Sequence, residues 1–499
     1  MKTNHKKYMP QMILVLLVSL IFLWGCGNKF LEVAPQGQKE SKNFWQSQDD
    51  ASEAVNAMYA FLHSWTMVGF APMAVMSMPS GDVDKGSTPG DATFMNDYIH
   101  FSVTSTQGQL NDFWTGEYQE INLCNQVLDH VDTMHFNDNL RNRFMAEAKF
   151  IRAFCYFRLV RAFGGVPLRL HLPQGTNEYN IPRTSKDSVY AAIEKDLTDA
   201  AAVLPVTYDA VNIGHATKGA ALTLLAKVSM YEKKWQQVYD LTNQVIAAGA
   251  YHLFPDFEQM FRIKNENCSE SIFEIQCQNI PGNPQASNSQ YSQIQGDRDV
   301  SPSVGWGFNV PNQSLVNAFG PGDTRLTGTV LFAGETTPEG DVVPPASPNT
   351  PTMYNMKSYV PFALAAANNS SYPGCDQNVR ILRYAGVLLM NAEAANELGN
   401  TSQALNSLNQ VRARARGNNP NAVPDITETN KDALRLIIWH ERHLEFAMEW
   451  DRFFDLVRQG RAAQVLGPQG FKQGKNELMP IPQNEIDLSA GLLTQNPGY

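Results

Sequence analysis

Apolar residues recur every three or four positions over long stretches of the chain, which is the spacing of an amphipathic α-helix. This pattern predicts helices over residues 43–65, Leu110 to about Met134, Asn139–Phe163 and about Lys186 to Leu204. Gly164 and Gly165 are expected to end the third helix and Pro205 the fourth, because glycine and proline interrupt helical hydrogen bonding. The first half of the protein is therefore expected to be mainly helical.

Two later stretches have the pattern of paired helices. The predicted pairs cover residues 216–231 with 234–248 and residues 382–398 with 401–415. Small residues such as Ala220 would let the two helices of a pair approach closely. Pairs of about 34 residues with alanine at the crossing resemble tetratricopeptide units. We expect a few packed pairs, followed by a last helical block over residues 430–459.

Two segments lack such periodicity. Residues 79–108 are polar and contain glycines and prolines, and residues 278–378 are rich in Asn, Gly, Pro, Ser and Gln with scattered aromatic side chains. Irregular segments of that length inside a compact protein are usually functional or mobile. We therefore expect a helical scaffold that supports an irregular face built from these two segments. That scaffold is expected to cover mainly residues 43–65, 110–250 and 380–459.

The N-terminus has the pattern of a bacterial export signal. Three lysines among the first seven residues precede an apolar run from Met12 to Trp24, which is shorter than the roughly 20 residues that span a bilayer. The run ends in Leu-Trp-Gly-Cys, which resembles a lipobox. Cys26 is therefore expected to carry lipid and to begin the mature protein. An uncleaved anchor helix is the alternative.

Length and composition indicate a globular protein with a sizeable core, since 43% of the 499 residues are hydrophobic and 18% are charged. We predict a signal peptide over residues 1–25 and a single domain over residues 26–499. The formal net charge of −10 falls to −13 once the signal peptide is removed. A chain this acidic is not expected to bind nucleic acid or an anionic lipid surface as its main partner.

The cysteines other than Cys26 do not have the spacing of a disulfide framework. Cys124 and Cys155 lie in helical patterns among apolar neighbours, so we expect buried thiols. Cys268 and Cys277 bracket a strand-like stretch and are candidates for a disulfide.

The string His440-Glu441-Arg442-His443 comes nearest to a catalytic motif. A metalloprotease helix needs two histidines four positions apart, and here they are three apart. Acidic and basic residues instead recur every three or four positions as far as Arg458, which predicts an ion-paired helix. The chain contains no G-x-S-x-G, P-loop or G-x-G-x-x-G sequence. No catalytic motif is therefore identified.

Three carboxylates in the first irregular segment, Asp82, Asp84 and Asp91, are flanked by glycines. A pair of carboxylates can serve a glycosidase as acid and base, but only at a set separation in space. Flexible neighbours favour binding or metal coordination over rigid acid catalysis. Ordinary solvated carboxylates are the alternative, and a structural Ca²⁺ is possible although the sequence does not indicate one.

Several stretches, in order along nearly the whole mature chain, resemble the SusD/RagB family of outer-membrane nutrient-binding lipoproteins. They are AEAKFIRAFCYFRLVRAFGGVPL at 146–168, IPRTSKDSVY from 181, ATKGAALTLLAKV at 216–228, RILRYAGVLLMNAEAANELG at 380–399, ERHLEFAMEWDRFFDLVR at 441–458, and LMPIPQNEI and QNPGY in the tail. The resemblance implies a mainly α, SusD-like fold. In that fold, tetratricopeptide-like helix pairs scaffold an irregular, loop-rich ligand-binding face.

The resemblance also implies what the protein does. It implies a lipid-anchored protein of the outer membrane that faces the cell exterior, catalyses no reaction, and binds glycan or, in some members, peptide. Its implied partner is a TonB-dependent outer-membrane transporter of the SusC type, over whose mouth it acts as a lid. An anchored glycan hydrolase or peptidase stays open as a second class of function, and a purely structural subunit as a third.

Sugar rings stack on aromatic side chains, while their hydroxyls bind carboxylate, amide or guanidinium groups. Trp306 is the leading candidate, because it lies between glycines in a segment resembling one near which some family members place a sugar-stacking tryptophan. Packing of this loop against the core is the alternative. The further candidates are Tyr291, Phe94 and Tyr98 for stacking, and Asp82, Asp84, Lys85 and Asp91 for polar contacts.

Other aromatic residues are expected to be structural. Trp65 is expected to pack in the core or at its rim. The aromatic residues of the predicted helix over Asn139–Phe163 are expected to lie in the core. These are Phe150, Phe154, Tyr156, Phe157 and Phe163.

Overall fold

The computed structural model describes residues 44–278, 280, 289–298, 305–367 and 376–499. The helices of the first half are α1 Gln48–Leu62, α2 Trp65–Val68, α3 Phe70–Pro72, α4 Met95–Ile99, α5 Gly108–Val131, α6 Asp138–Phe163, α7 Lys186–Val203, α8 Lys218–Tyr231 and α9 Trp235–Ala248. Those of the second half are α10 Tyr291–Gln295, α11 Gln313–Ala318, α12 Arg325–Thr329, α13 Phe362–Ala367, α14 Tyr384–Glu397, α15 Thr401–Arg416, α16 Lys431–Phe446, α17 Arg452–Arg458, α18 Ala462–Leu466 and α19 Gln483–Leu488.

The described strands are short and form three antiparallel ribbons of two strands each. The strands are β1 Val83–Gly86, β2 Ser271–Ile275, β3 Phe308–Pro311, β4 Val330–Phe332, β5 Met353–Asn355 and β6 Val379–Arg383. The ribbons pair β1 with β3, β2 with β6 and β4 with β5. The fold is therefore mainly helical, as the sequence predicts.

Helix α6 is the central element of the scaffold. The side chain of Asn137 accepts a hydrogen bond from the backbone N–H of Leu140 (3.0 Å) and so caps its start. Gly164, with a φ of 75°, follows its last residue. Helices α5 and α7 pack on either side, so nearly every side chain of its second half is buried. The aromatic residues predicted to lie in the core do so, from Phe150 to Phe163.

The predicted helix pairs form. Helix α8 packs against α9, α14 packs against α15, and the two pairs meet where α9 contacts α14. Side-chain caps begin two of these helices, since Thr217 accepts from the N–H of Ala220 (3.0 Å) and Asn400 from that of Gln403 (3.3 Å). Whether the pairs are tetratricopeptide units stays a prediction.

The helical block predicted over residues 430–459 is two helices, α16 and α17. They are separated at residues 447–451, where Met448 and Trp450 have positive φ angles of 68° and 67°. The sequence did not indicate this break, because the charged residues from Glu441 to Arg458 recur every three or four positions, as they would along one continuous helix. Of the pairs expected along that helix, Asp455 with Arg458 forms at 2.7 Å.

Most charges of α16 instead pair with distant parts of the chain. Glu445 is buried and lies 3.0 Å from Arg383 and 2.5 Å from Arg414. Glu441 lies 2.6 Å from Arg325. Burial alone would raise the pKa of Glu445, but the guanidinium groups around it outweigh burial and hold that pKa well below its usual range. These residues therefore form ion pairs, as predicted, but the pairs join α16 to other elements inside the core and do not run along a single helix.

The segment over residues 79–108 is more regular than expected. It contains β1 and α4, and the side chains of Val83 and Lys85 point inward while Asp84 is exposed. Antiparallel pairing places Val83 opposite Pro311 and Gly86 opposite Phe308. A four-residue strand of sequence Val-Asp-Lys-Gly carries too little alternation to be recognised without its partner strand.

The segment over residues 278–378 also contains regular structure. Strands β3, β4 and β5 lie in it, together with the short helices α10 to α13. The helix predicted over residues 382–398 begins only at Tyr384, because residues 379–383 form β6 against β2. These strands are too short for periodicity to identify.

The four cysteines at positions 124, 155, 268 and 277 are free thiols. Cys124 and Cys155 are buried, as expected. Cys268 and Cys277 do not form the disulfide considered from the sequence. The Cys268 thiol instead contacts Ser271 Oγ (3.7 Å), and the backbone N–H of Cys277 donates to Asn378 Oδ1 (2.7 Å).

Candidate functional site

Four aromatic side chains meet where α2 and α3 face the start of β3, and we call Trp65, Phe70 and Trp306 the aromatic platform. The Phe70 ring is nearly parallel to the Trp306 indole, with centroids 5.8 Å apart and planes 22° apart. The Trp65 indole lies 6.2 Å from that of Trp306 at an interplanar angle of 61°. Phe308 supports Phe70 from the buried side at 5.0 Å.

The platform is open to solvent at one end. Trp65 is 38% exposed, and Phe70 and Trp306 are half-buried. An exposed tryptophan beside two half-buried rings leaves an apolar surface uncovered, which is unusual where no ligand or partner binds. The surface is suited to stacking on the apolar face of a ring.

Glycines position Trp306. A Cβ atom on Gly305 would lie 2.2 Å from the backbone carbon of Gly296, so only glycine permits this crossing of two segments. Gly307 has a φ of 67°, a conformation that favours glycine. Between them, the N–H of Trp306 donates to the carbonyl oxygen of Gln293 (2.8 Å). The flanking glycines noted in the sequence therefore fix the indole in place.

The turn after β1 closes against this segment. The N–H of Ser87 donates to the carbonyl oxygen of Gly307 (2.5 Å). Lys85 is buried and donates to three carbonyl oxygens of its own turn, those of Gly86 (2.9 Å), Thr88 (2.8 Å) and Asp91 (2.7 Å). Since an ammonium group has three protons, these bonds use its whole capacity. Lys85 thus organises the turn beside Trp306.

Arg298 links the turn to the platform. Its Nη1 donates to Ser87 Oγ (2.7 Å) and to the carbonyl oxygen of Trp306 (3.2 Å), and lies 3.3 Å from Asp91 Oδ2. Ser87 Oγ also donates to Asp91 Oδ2 (2.9 Å). Asp91 is partly exposed, so it is a polar group within the wall of the site.

Buried amides hold β3 beneath the platform. Gln295 Oε1 accepts from Asn309 Nδ2 (2.7 Å) and from Asn355 Nδ2 (2.8 Å). Ser77 Oγ donates to Asn309 Oδ1 (2.8 Å). Asn309 has a φ of 54°, a strained conformation that these bonds compensate.

Four of the residues predicted for the site are buried. Tyr98 is fully buried, and Tyr291 is buried with its ring 5.6 Å from that of Trp450. Burial, with Glu449 nearby, raises the pKa of Tyr291 to about 12. Asp82 is also buried. Lys85 is buried as well, so these four side chains contact the protein interior and not solvent.

The remaining predicted residues are accessible. Asp84 is exposed on the outer side of β1, and Phe94 is half-buried against the main core. The structure brings Trp306 and Asp91 together through Arg298. It does not place Tyr98 or Tyr291 on the same open surface.

Sequence reasoning missed Trp65, Phe70 and Arg298. Trp65 was expected to pack in the core or at its rim, and it lies at the rim, packed against Phe70 and Trp306 as the most exposed ring of the platform. The missed signal is the sequence Trp65-Thr-Met-Val-Gly-Phe70. A Cβ on Gly69 would lie 2.4 Å from the carbonyl oxygen of Trp65, so this glycine allows the turn that brings both rings together.

Metal ligands do not assemble among the described residues, where no three His, Cys, Asp or Glu side chains form a group able to hold a metal ion. The two histidines of the candidate zinc motif have ring centroids 6.3 Å apart. His443 contacts Asp82 instead (2.9 Å).

Two family models match most of the chain between them. One, the SusD family, covers residues 269–499, and the other, described as starch-binding and associating with outer membrane, covers residues 29–230. The chain belongs to the SusD family. SusD-like protein P2 of Formosa agariphila is 29% identical over 524 residues, which cover 99% of this chain and 100% of that protein. A SusD-like protein of Bacteroides ovatus is 25% identical over 485 residues, 90% of this chain and 82% of that protein.

Solved structures share the fold over nearly their whole length. A laminarin-binding SusD-like protein has 28% identity and a TM-score of 0.78, with 91% of this chain and 100% of that one covered. Surface glycan-binding protein A of Bacteroides thetaiotaomicron, solved in complex with laminarihexaose, has 25% identity and a TM-score of 0.76, with 90% and 99% covered.

Cys26, the expected lipid attachment point, lies outside the described residues. Within the part of the chain that the structure describes, no helix combines the length and apolar character needed to cross a bilayer.

Proposed function

We propose that this protein is a non-catalytic receptor on the cell surface that binds oligosaccharide through its aromatic platform. The observation that carries the proposal is the exposed corner formed by Trp65 and Trp306, braced by Phe70. The sugar rings of a glycan would stack on these indoles, while the carboxylates of Asp91 and Asp84 would accept hydrogen bonds from its hydroxyl groups. Two solved relatives with the same fold bind laminarin or a laminarin fragment.

The shape of the platform favours one kind of glycan. Its two indoles are inclined at 61°, so they form a corner and not a flat shelf. Successive rings of a β-1,3-linked glucan turn along the chain, whereas those of a β-1,4-linked glucan form a flat ribbon. The corner therefore suits the turning chain.

The protein is further proposed to be a lipoprotein anchored through Cys26 to the outer membrane, facing outward. There it would act as the lid of a TonB-dependent transporter of the SusC type and deliver glycan to it. Support comes from membership of the SusD family and from the description of the family model that matches residues 29–230. Co-purification of that transporter with the full-length protein from detergent-extracted outer membranes tests this part.

Calorimetry with residues 26–499 carrying Cys26→Ser tests the ligand. We expect laminarihexaose to bind and cellohexaose, which has the same sugar and the same length, to bind at least about tenfold more weakly, a difference of about 1.4 kcal/mol. Equal affinity would contradict the preference for a turning chain. Binding of neither hexasaccharide, nor of any glycan on an array, would contradict glycan binding and favour a peptide ligand.

The same protein tests the absence of catalysis. We expect no new reducing ends after prolonged incubation with laminarin, measured beside a commercial β-1,3-glucanase as positive control. Steady release of reducing sugar that persists in Trp306→Ala but disappears on boiling would support the alternative, an anchored glycan hydrolase.

A further inference from the structure

A second concave surface lies away from the platform, on the opposite face of α5. It is a groove of about 590 Å³ between α5, the segment over residues 167–181 and the C-terminal residues 485–493. Gly116, on the platform side of α5, packs so closely against Thr66 that a Cβ there would lie 2.7 Å from the Thr66 Cβ. Tyr118 lines the groove, and residues two apart on a helix point to different sides. The groove is therefore separate from the proposed glycan site.

The groove is mainly apolar and incompletely covered. Trp114 and Tyr118, whose rings lie 5.1 Å apart, line the side formed by α5. Leu488 and Tyr179 line the opposite sides and are 72% and 60% exposed. Its volume lies in the range of sites that bind ligands, about 300–1,000 Å³. Exposed leucine and tyrosine beside such a groove indicate an apolar occupant.

We propose that the occupant is the protein's own N-terminal segment, residues 29–35, which lie outside the described residues. Their sequence is Lys-Phe-Leu-Glu-Val-Ala-Pro, with apolar side chains at Phe30, Leu31 and Val33. Both the segment and the groove are mainly apolar and carry a few charges, which are Lys29 and Glu32 in the segment and Arg169 and Glu485 in the groove. This proposal goes beyond glycan binding and does not depend on it.

The path of the chain makes the groove reachable. Trp45, near the first described residue, stacks on His130 at the end of α5, with centroids 4.6 Å apart. Along α5 the groove begins near Asn125, five residues or about 8 Å before His130. The eight residues 36–43 span up to about 26 Å when extended, more than enough to reach it.

The direction of the chain also matches the charges. A segment that enters near Asn125 would run toward Trp114, so Lys29 would arrive at the Trp114 end. Glu485 lines the groove there and bonds to Trp114, and no basic side chain among the described residues forms a salt bridge with its carboxyl. Glu32 would lie midway, on the side lined by Arg169. Charges of opposite sign therefore meet at both positions.

Docking of residues 29–35 in the groove would shorten the link between Cys26 and the folded protein. The 17 residues between Cys26 and Phe44 could extend about 60 Å. With residues 29–35 in the groove, only two residues, Gly27 and Asn28, would separate Cys26 from the docked segment, a span of about 10 Å. The groove would then set the orientation of the protein toward the lipid that Cys26 is proposed to carry.

Hydrogen exchange on residues 26–499 with Cys26→Ser tests the docking. We expect the amides of residues 30–34 to exchange at least about tenfold more slowly than the same segment in Leu488→Asp. Leu31→Asp, which changes the segment, should remove protection equally. The matched controls are Leu436→Asp, at an exposed leucine of α16, and Gln38→Asp, outside the docked residues. Both should retain protection.

The outcomes separate the possible occupants. Unprotected amides in the parent protein, or protection that survives Leu488→Asp, would overturn the proposal. Protection that appears only at higher protein concentration would identify a second copy as the occupant, and displacement of the segment by laminarihexaose would identify the groove as a glycan site. Either result would also overturn it. Calorimetry with laminarihexaose on Leu488→Asp should be unchanged, so this test fails or succeeds independently of the proposed function.

Discussion

His443 Nε2 lies 2.9 and 3.0 Å from the two carboxylate oxygens of Asp82 and so joins the strand beside the platform to helix α16 of the scaffold. Arg452 lies 4.0 Å from the same carboxylate. Burial alone would raise the pKa of Asp82, but His443 and Arg452 outweigh burial and lower it. The pair is a long-range link between the ligand side and the helical core.

Asp82→Asn should destabilise the protein by about 1–3 kcal/mol at pH 7, because a buried His443 loses a charged partner. A carboxyl whose pKa is lowered on folding stabilises the folded state above its unfolded pKa, near 3.8, and less as pH falls through its folded value. The difference between variant and parent in urea unfolding should therefore stay constant from pH 7 to about pH 5 and narrow as pH falls below about 4. Asp84→Asn, at the exposed neighbour, should change stability by less than about 0.5 kcal/mol. Equal effects of the two substitutions would contradict this role.

Trp306→Ala should weaken glycan binding at least about tenfold, because it removes the central ring of the platform. Trp65→Ala should weaken binding less, by about three- to tenfold, because Phe70 and Trp306 remain. Calorimetry measures both. Trp235→Ala, at a half-buried tryptophan of α9, is the matched control and should leave affinity unchanged. Unchanged affinity in Trp306→Ala would show that the ligand binds elsewhere.

Lys85→Met should loosen the turn over residues 86–91, because three carbonyl oxygens lose their common donor. The expected cost is about 1–3 kcal/mol in the free energy of unfolding. Amides of this turn should exchange faster, and glycan affinity should fall because the turn contacts Gly307. Lys218→Met, at an exposed lysine, should alter neither quantity. Normal affinity despite faster exchange would mean that the turn does not shape the site.

Glu120→Gln should stabilise the protein at pH 8. Glu120 is buried, its Oε2 makes no hydrogen bond with the described residues, and burial raises its pKa well above 4.5. Above pH 4.5 the unfolded chain therefore loses a proton that the folded chain keeps, so stability declines as pH rises. Glutamine does not ionise, so the gain should be near zero at pH 4.5 and grow steadily as pH rises to 8.

Urea unfolding across this pH range measures the gain. Glu335→Gln, at an exposed glutamate, should stay within about 0.5 kcal/mol of the parent at every pH. A gain that is constant with pH would show that Glu120 is ionised in the folded protein.

The sequence predicts the long helices well because their periodicity is a local property. The helix from Asp138 to Phe163 was predicted within one residue at its start. Strand β1 and the break between α16 and α17 were not predicted, since each depends on a distant partner or on backbone angles. The charges from Glu441 onward indicated ion pairing, but their partners, such as Arg383, lie in other segments that periodicity cannot relate.

The candidate site was predictable in part for the same reason. The glycines on both sides of Trp306 indicated that this indole lies outside helices and strands. Nothing local distinguishes Asp82, which is buried against His443, from Asp84, which is exposed two residues later. Trp65 was assigned a packing role because it ends the predicted helix over residues 43–65, and only the three-dimensional arrangement shows its contact with Trp306.

The buried ionic core has a consequence for the order in which the protein can mature. Arg325, Arg383 and Arg414 all find counter-ions on α16, close to the C-terminus. A nascent or partly translocated chain that lacks this helix would hold three guanidinium groups with no carboxylate from it to neutralise them, and such groups resist burial. These three groups can therefore gain their α16 partners only after residues 431–446 have emerged. Until then the chain remains open to the chaperones and proteases that inspect it.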